Sequence, residues 1–187
     1  FENYKSAFEF GFYKYNKNDK ININAFRNII GCAVDNSETD WLERFAEDYI
    51  SELHEEYRDN MKSYTLAYVN FERKNFEEAL KCISNIKYDL FLFKIDIKNL
   101  MVRIYFELQY YEQAISALDA MKHYISNTKE LSEKFKLSEA SFIRYTGELL
   151  KARTKGNKID VTYFNRILSE EKNLSSRKWL LEKISEL

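Results

Sequence analysis

The chain has 187 residues, 45% of them apolar and 32% charged, with 29 basic residues against 30 acidic ones for a net charge of −1. That is enough apolar content for a buried core, and it leaves no global field to draw the chain toward nucleic acid or anionic lipid. Proline is absent and there are 4 glycines, against about 9 and about 13 at average usage, which argues against turn-rich sandwiches and barrels and leaves little from which to build a glycine-cradled phosphate site.

Taken in order, nearly every segment has the spacing of an amphipathic helix. Phe1–Tyr15 carries Tyr4, Phe8, Phe12 and Tyr15 on one stripe, which predicts a capping helix within residues 1–20. A polar corner follows at Lys17–Lys20, and helix hairpins are expected over residues 22–128. The next break is Asp35-Asn-Ser37, with Ser37 as a candidate helix cap ahead of Asp40-Trp41-Leu42-Glu43. Apolar residues then run through Tyr64, Leu66, Ala67, Tyr68, Val69 and Phe71, break at Lys74-Asn75, and resume as Phe76, Ala79, Leu80, Ile83 and Ile86. A second such pair covers Leu100–Leu108 and Tyr111–Met121, ending at Ser126-Asn-Thr128. With so little proline and glycine, the corners fall to Asn, Asp, Ser and Lys, whose shorter members bond the local backbone and tolerate left-handed geometry. Residues 129–187 predict one long helix over Glu130–Arg153 with Ser132 near its start, a turn at Lys155–Lys158, a helix over Asp160–Glu171 and a last one over Ser175–Glu186.

The hairpins repeat. Asn75-Phe76-Glu77-Glu78-Ala79-Leu80 falls on Tyr110-Tyr111-Glu112-Gln113-Ala114-Ile115 at an offset of 35 residues, as do Leu66-Ala67 on Met101-Val102, Phe71 on Phe106 and Ile83 on Leu118. One step back sets Phe76 on Trp41 and Ala79 on Arg44. A period near 34 in helix pairs is the mark of a solenoid. On Ala67, Phe76, Ala79 and Ile83 in one repeat, and Tyr111, Ala114 and Leu118 in the next, the chain resembles the tetratricopeptide (TPR) helical repeat family. It departs from the family in having no closing proline and in placing Ala67 or Val102 where the family has glycine. The resemblance implies an all-α fold: one domain over residues 1–187, an α-α superhelix of TPR-like antiparallel hairpins with a non-repeat C-terminal helical cap.

Little in the sequence converges toward catalysis. His54 and His123 stand 69 residues apart without ligand-spaced neighbours, and the acids Glu52, Glu55 and Glu56 around His54 suggest an exposed helix end. Cys32 and Cys82, 50 residues apart in apolar surroundings, are expected to be buried free thiols. No enzyme activity, metal or cofactor is expected, and the enzyme alternative needs Cys32, His54 or His123 assembled in space. Charge is unevenly spread: residues 1–60 hold 7 basic and 13 acidic side chains, and residues 131–187 hold 12 and 8. The acids crowd into Glu38–Asp59 and the bases into Arg144–Lys158. Those bases and the aromatics near Arg166 make only a faint version of a nucleic-acid surface.

The resemblance further implies a non-catalytic protein–protein interaction or scaffold module, binding a peptide or protein partner on its concave face. Carried over by register, the partner-facing residues are Tyr64, Tyr68 and Glu72 in one repeat and Asn99, Arg103 and Glu107 in the next. The chain starts at Phe1 rather than Met. This suggests a fragment or a trimmed start, and with it the alternative of a regulatory or sensor region of a longer protein. No apolar run approaches the ~20 residues of a membrane span, so no membrane partner is expected and a cytoplasmic location is the default.

Overall fold

With no proline and 4 glycines to interrupt helices, the described residues are mostly helical. The computed structural model describes residues 1–14, 16, 19–87, 91–129 and 131–187, with 91 and 92 described by backbone alone. Ten α-helices are present among them: α1 (Glu2–Glu9), α2 (Ile23–Asp35), α3 (Thr39–Tyr49), α4 (Glu55–Glu72), α5 (Phe76–Ser84), α6 (Phe91–Glu107), α7 (Tyr111–Asn127), α8 (Glu133–Lys155), α9 (Val161–Glu170) and α10 (Arg177–Ser185). A 3-10 turn at Ile50–Glu52 follows α3, and no strand occurs among the described residues. The fold class is all-α. The chain divides into two compact units, Phe1–Phe91 and Leu92–Leu187.

Three corners are built alike, and they explain how the chain turns without glycine or proline. At each, one residue takes left-handed geometry: Ser37 (φ 61°), Lys74 (φ 63°) and Gln109 (φ 60°). Its N–H reaches back three residues, to the carbonyls of Val34, Phe71 and Phe106, each at 3.0 Å. The next N–H reaches back five, from Glu38 to Ala33, Asn75 to Asn70 and Tyr110 to Tyr105, at 2.9, 2.9 and 2.8 Å. This is the Schellman pattern, which satisfies the carbonyls left over at a helix end. The carbonyls of Glu38, Asn75 and Tyr110 then accept from Leu42, Ala79 and Ala114 and so open the following helix.

These corners correct the register of the first hairpin. Ser37 and Lys74 are 37 residues apart, whereas Lys74 and Gln109 are 35 apart. The first-hairpin counterpart of Ala79 and Ala114 is therefore the fully buried Leu42, and Arg44 points to solvent. Ser37 forms the corner itself instead of capping α3, which has no side-chain cap. Trp41, free of the corner role, stacks on Phe45 at 5.0 Å and meets Phe1 edge-on at 5.0 Å. In the other two hairpins the rings close the corner: Phe71 against Phe76 at 5.5 Å and Phe106 against Tyr111 at 5.7 Å, both edge-on.

In the first unit, α1 lies on α3 through Phe8, whose ring contacts Phe45 and Tyr49 at 4.9 and 4.8 Å, and through Lys5, which donates to Glu38 at 3.0 Å. The helix stops at Glu9, so Phe12 leaves the expected stripe and is 78% exposed; Tyr15, Lys17 and Asn18 lie outside the described residues. The acidic run is partnered from elsewhere in the unit. Arg73 donates to Asp40 at 2.8 Å and to Glu43 at 2.7 Å, and Lys14 pairs with Glu52, pulling that carboxyl below its ordinary range. α4 begins nine residues before the apolar run that predicted it, with Glu55 and Glu56 in its first turn, where the helix dipole favours negative charge.

In the second unit, the expected caps hold two helix starts: Ser132 Oγ accepts from the N–H of Phe135 at 3.3 Å, and Asp160 Oδ1 from that of Tyr163 at 2.9 Å. Glu130 lies outside the described residues, and α8 ends on Gly156 in left-handed geometry (φ 68°). The core joins Val102, Ile104 and Phe106 of α6, Leu118 and Met121 of α7, and Phe142 and Leu149 of α8 with Leu168, Trp179, Leu180 and Ile184 of the last two helices. Arg177 fastens the α9–α10 corner by donating to the carbonyls of Leu168 (2.8 Å), Ser169 (2.7 Å) and Glu171.

Candidate functional site

The six residues expected to face a partner fall three in each unit, one helical turn apart on α4 and again on α6. On α4, Tyr64 is 3% exposed, and its ring meets that of Tyr68 edge-on at 5.1 Å; Tyr68 and Glu72 are half-buried. On α6, Asn99 and Arg103 are buried at 4% and 6% exposure, and Glu107 is half-buried.

Asn99 and Glu107 of the α6 trio are engaged by the chain's own C-terminal segment. The Asn99 amide donates to Glu139 Oε2 of α8 at 3.2 Å and to Ser175 Oγ at 3.1 Å, while its oxygen accepts from Ser176 Oγ at 2.9 Å. Two turns on, Glu107 accepts from the Trp179 indole N–H at 2.6 Å and from Lys183 Nζ at 3.1 Å. Lys183 also donates to Glu186 at 2.7 Å. Burial works against the Lys183 ammonium, but its hydrogen bonds to Glu186 and Glu107 outweigh that and hold its pKa above the ordinary value.

Glu139 is the residue that sequence reading passed over. It lies on the stripe Glu139, Phe142, Thr146, Leu149, all of them buried, and a carboxyl at a core position of an amphipathic helix is the signal that would have found it. Burial pushes its pKa up to about 7; hydrogen bonds from Asn99 and Ser175 pull down, Asp96 pushes up and Arg103 pulls down. Trp179 and Lys183 carry no such signal, since an aromatic and a lysine at helical spacing fit any capping helix.

A second feature is an open groove of about 330 Å³ between α6 and α7. Lys98, Met101 and Tyr105 form one wall, and Gln113, Ser116, Ala117 and Ala120 the other. Short side chains on α7 leave the gap, and Lys98 puts a cation at its edge.

The residues of the enzyme alternative lie on three different segments. Cys32 lies on α2 and His54 just before α4 in the first unit, and His123 on α7 in the second. Both histidines are exposed, and both thiols are free and half-buried where fully buried ones were expected. Burial and the neighbouring Glu78 raise the Cys82 pKa. Among the described residues no group of three acids, histidines or cysteines could hold a metal ion, and no helix is long and apolar enough to cross a membrane. On α8 and α9, Arg144 and Arg166 sit over the rings of Tyr145 and Tyr163 at 5.2 and 5.6 Å. No family model, no curated protein and no solved structure matches this chain.

Proposed function

We propose that the chain is a non-catalytic interaction module, a divergent TPR-like scaffold that holds a peptide or protein partner on the faces presented by α4 and α6. The supporting observation is the repeated corner at Ser37, Lys74 and Gln109. One local geometry used three times joins three helix pairs in the same way, and repeated helix pairs are the units from which partner-binding faces are built. On α4 the half-buried Tyr68 and Glu72 offer a flat aromatic and a carboxylate one turn apart; aromatics of this kind dominate binding energy at interfaces. The reading assigns no catalytic step.

The test is affinity capture from the native host lysate with the wild type and a Tyr68→Ala/Glu72→Lys variant, both checked for unchanged helicity by circular dichroism. Proteins recovered by the wild type and depleted severalfold by the variant are the expected outcome. Equal recovery by the two rejects the α4 face as the binding surface.

A further inference from the structure

Two sets of hydrogen bonds fix the direction in which α10 lies along α6. Asn99 takes Ser175 and Ser176, and Glu107, eight residues later, takes Trp179 and Lys183. The Asn99–Ser175 and Glu107–Lys183 pairs are both 76 residues apart in sequence, so the two helices run parallel and in register. The face of α6 read as partner-binding is thus already read by a helix. Its code is specific: hydroxyls against an amide, then an indole N–H and an ammonium four residues apart against one carboxylate.

We infer that residues 175–185 are a cis occupant of this face, and that the partner it takes is a short amphipathic helix carrying a tryptophan and a lysine four residues apart, which must displace α10 to bind. This rests on the interaction reading above and adds the chemistry of the ligand and the element that must move first. The corner before α10 suits such movement, because Ser176 is held at φ 55°, a left-handed geometry costly for a residue with a side chain. What a rival helix must match is equally plain. Trp179 sits edge-on to Phe106 at 5.3 Å and at 6.2 Å from Phe142, with Leu180 and Ile184 buried beside it. A polar clasp sets the opening equilibrium, and apparent affinity for an incoming helix rises in proportion to the open fraction.

The test uses the full chain and a fluorescent synthetic peptide of residues 174–187, followed by anisotropy. A Trp179→Phe/Lys183→Met chain keeps a ring and an aliphatic stem in place but loses both donors to Glu107. A second chain, Ser175→Ala/Ser176→Ala, removes both hydroxyls from Asn99 without relieving the left-handed geometry at residue 176, and leaves the interior of α10 untouched. Each loosened chain is expected to bind the peptide at least tenfold more tightly than the wild type, and adding Glu107→Gln to the first, whose own α10 no longer donates to that carboxylate, is expected to return binding to the wild-type level. A peptide carrying Lys183→Glu is expected to bind neither chain. Equal binding by wild type and loosened chains overturns the inference, as does an absence of binding to both loosened chains. Because the probe is defined, these results are independent of the lysate capture: partner loss from the α4 variant without peptide exchange leaves the interaction reading standing and sinks this one.

Discussion

A carboxyl group shut away from water favours its neutral form, and Glu139 is such a group, 5% exposed beside Phe142 with Asn99 as its hydrogen-bond donor. Its pKa of about 7, against an ordinary 4.5, gives the protein a pH dependence of definite sign. Between those values the native state holds a proton that the unfolded state has released, so Glu139's own contribution to stability is fully present below pH 4.5 and is lost as pH rises to about 7. The accumulated loss is about 3 kcal/mol. Glu139→Gln keeps the shape and a hydrogen-bonding end without the charge. Urea denaturation at pH 5 and pH 8 is expected to show the wild type weaker at pH 8 by that order and the variant nearly level; equal pH dependence in both would remove Glu139 as the cause.

At the scale of the helix and its corner, the chain tolerates strain that glycine would relieve. A residue with a side chain costs about 1–2 kcal/mol in left-handed geometry, and glycine gives back part of that through the freedom it loses on folding. Gln109→Gly is therefore expected to raise stability by roughly 0.5–1 kcal/mol, while Gln109→Val, β-branched at φ 60°, lowers it. Thermal melts of the two variants check the sign, and the same sign for both would mean that the corner does not depend on that angle. The period of 35 residues was legible because Ala79 and Ala114 sit at close helix approaches and Phe76 and Tyr111 at corners, so packing imposes the same residue type twice. The 37-residue step into the first hairpin was not. Trp41 imitates the corner aromatic in sequence while it packs on Phe45 and Phe1 in space.

At the scale of the whole chain, each of the two units has its own core and its own tryptophan, Trp41 in Phe1–Phe91 and Trp179 in Leu92–Leu187. Trp179→Phe and Trp41→Phe variants thus report one unit each by fluorescence. The pH-dependent shift removed by Glu139→Gln is expected in the transition reported by Trp179 and not in that reported by Trp41; identical shifts in both would mean that the units unfold as one.

The sequence by itself determined the all-α class, the corners near Asn36, Lys74 and Gln109, and the caps at Ser132 and Asp160. These are local matters, fixed by apolar periodicity and by side chains that bond the backbone within a few residues. Only the tertiary structure decided what Asn99 and Glu107 do, because their partners lie 40 to 77 residues away. A polar residue on a helix face has the same spacing whether it meets solvent, a foreign helix or the chain's own last helix, and burial alone distinguishes them.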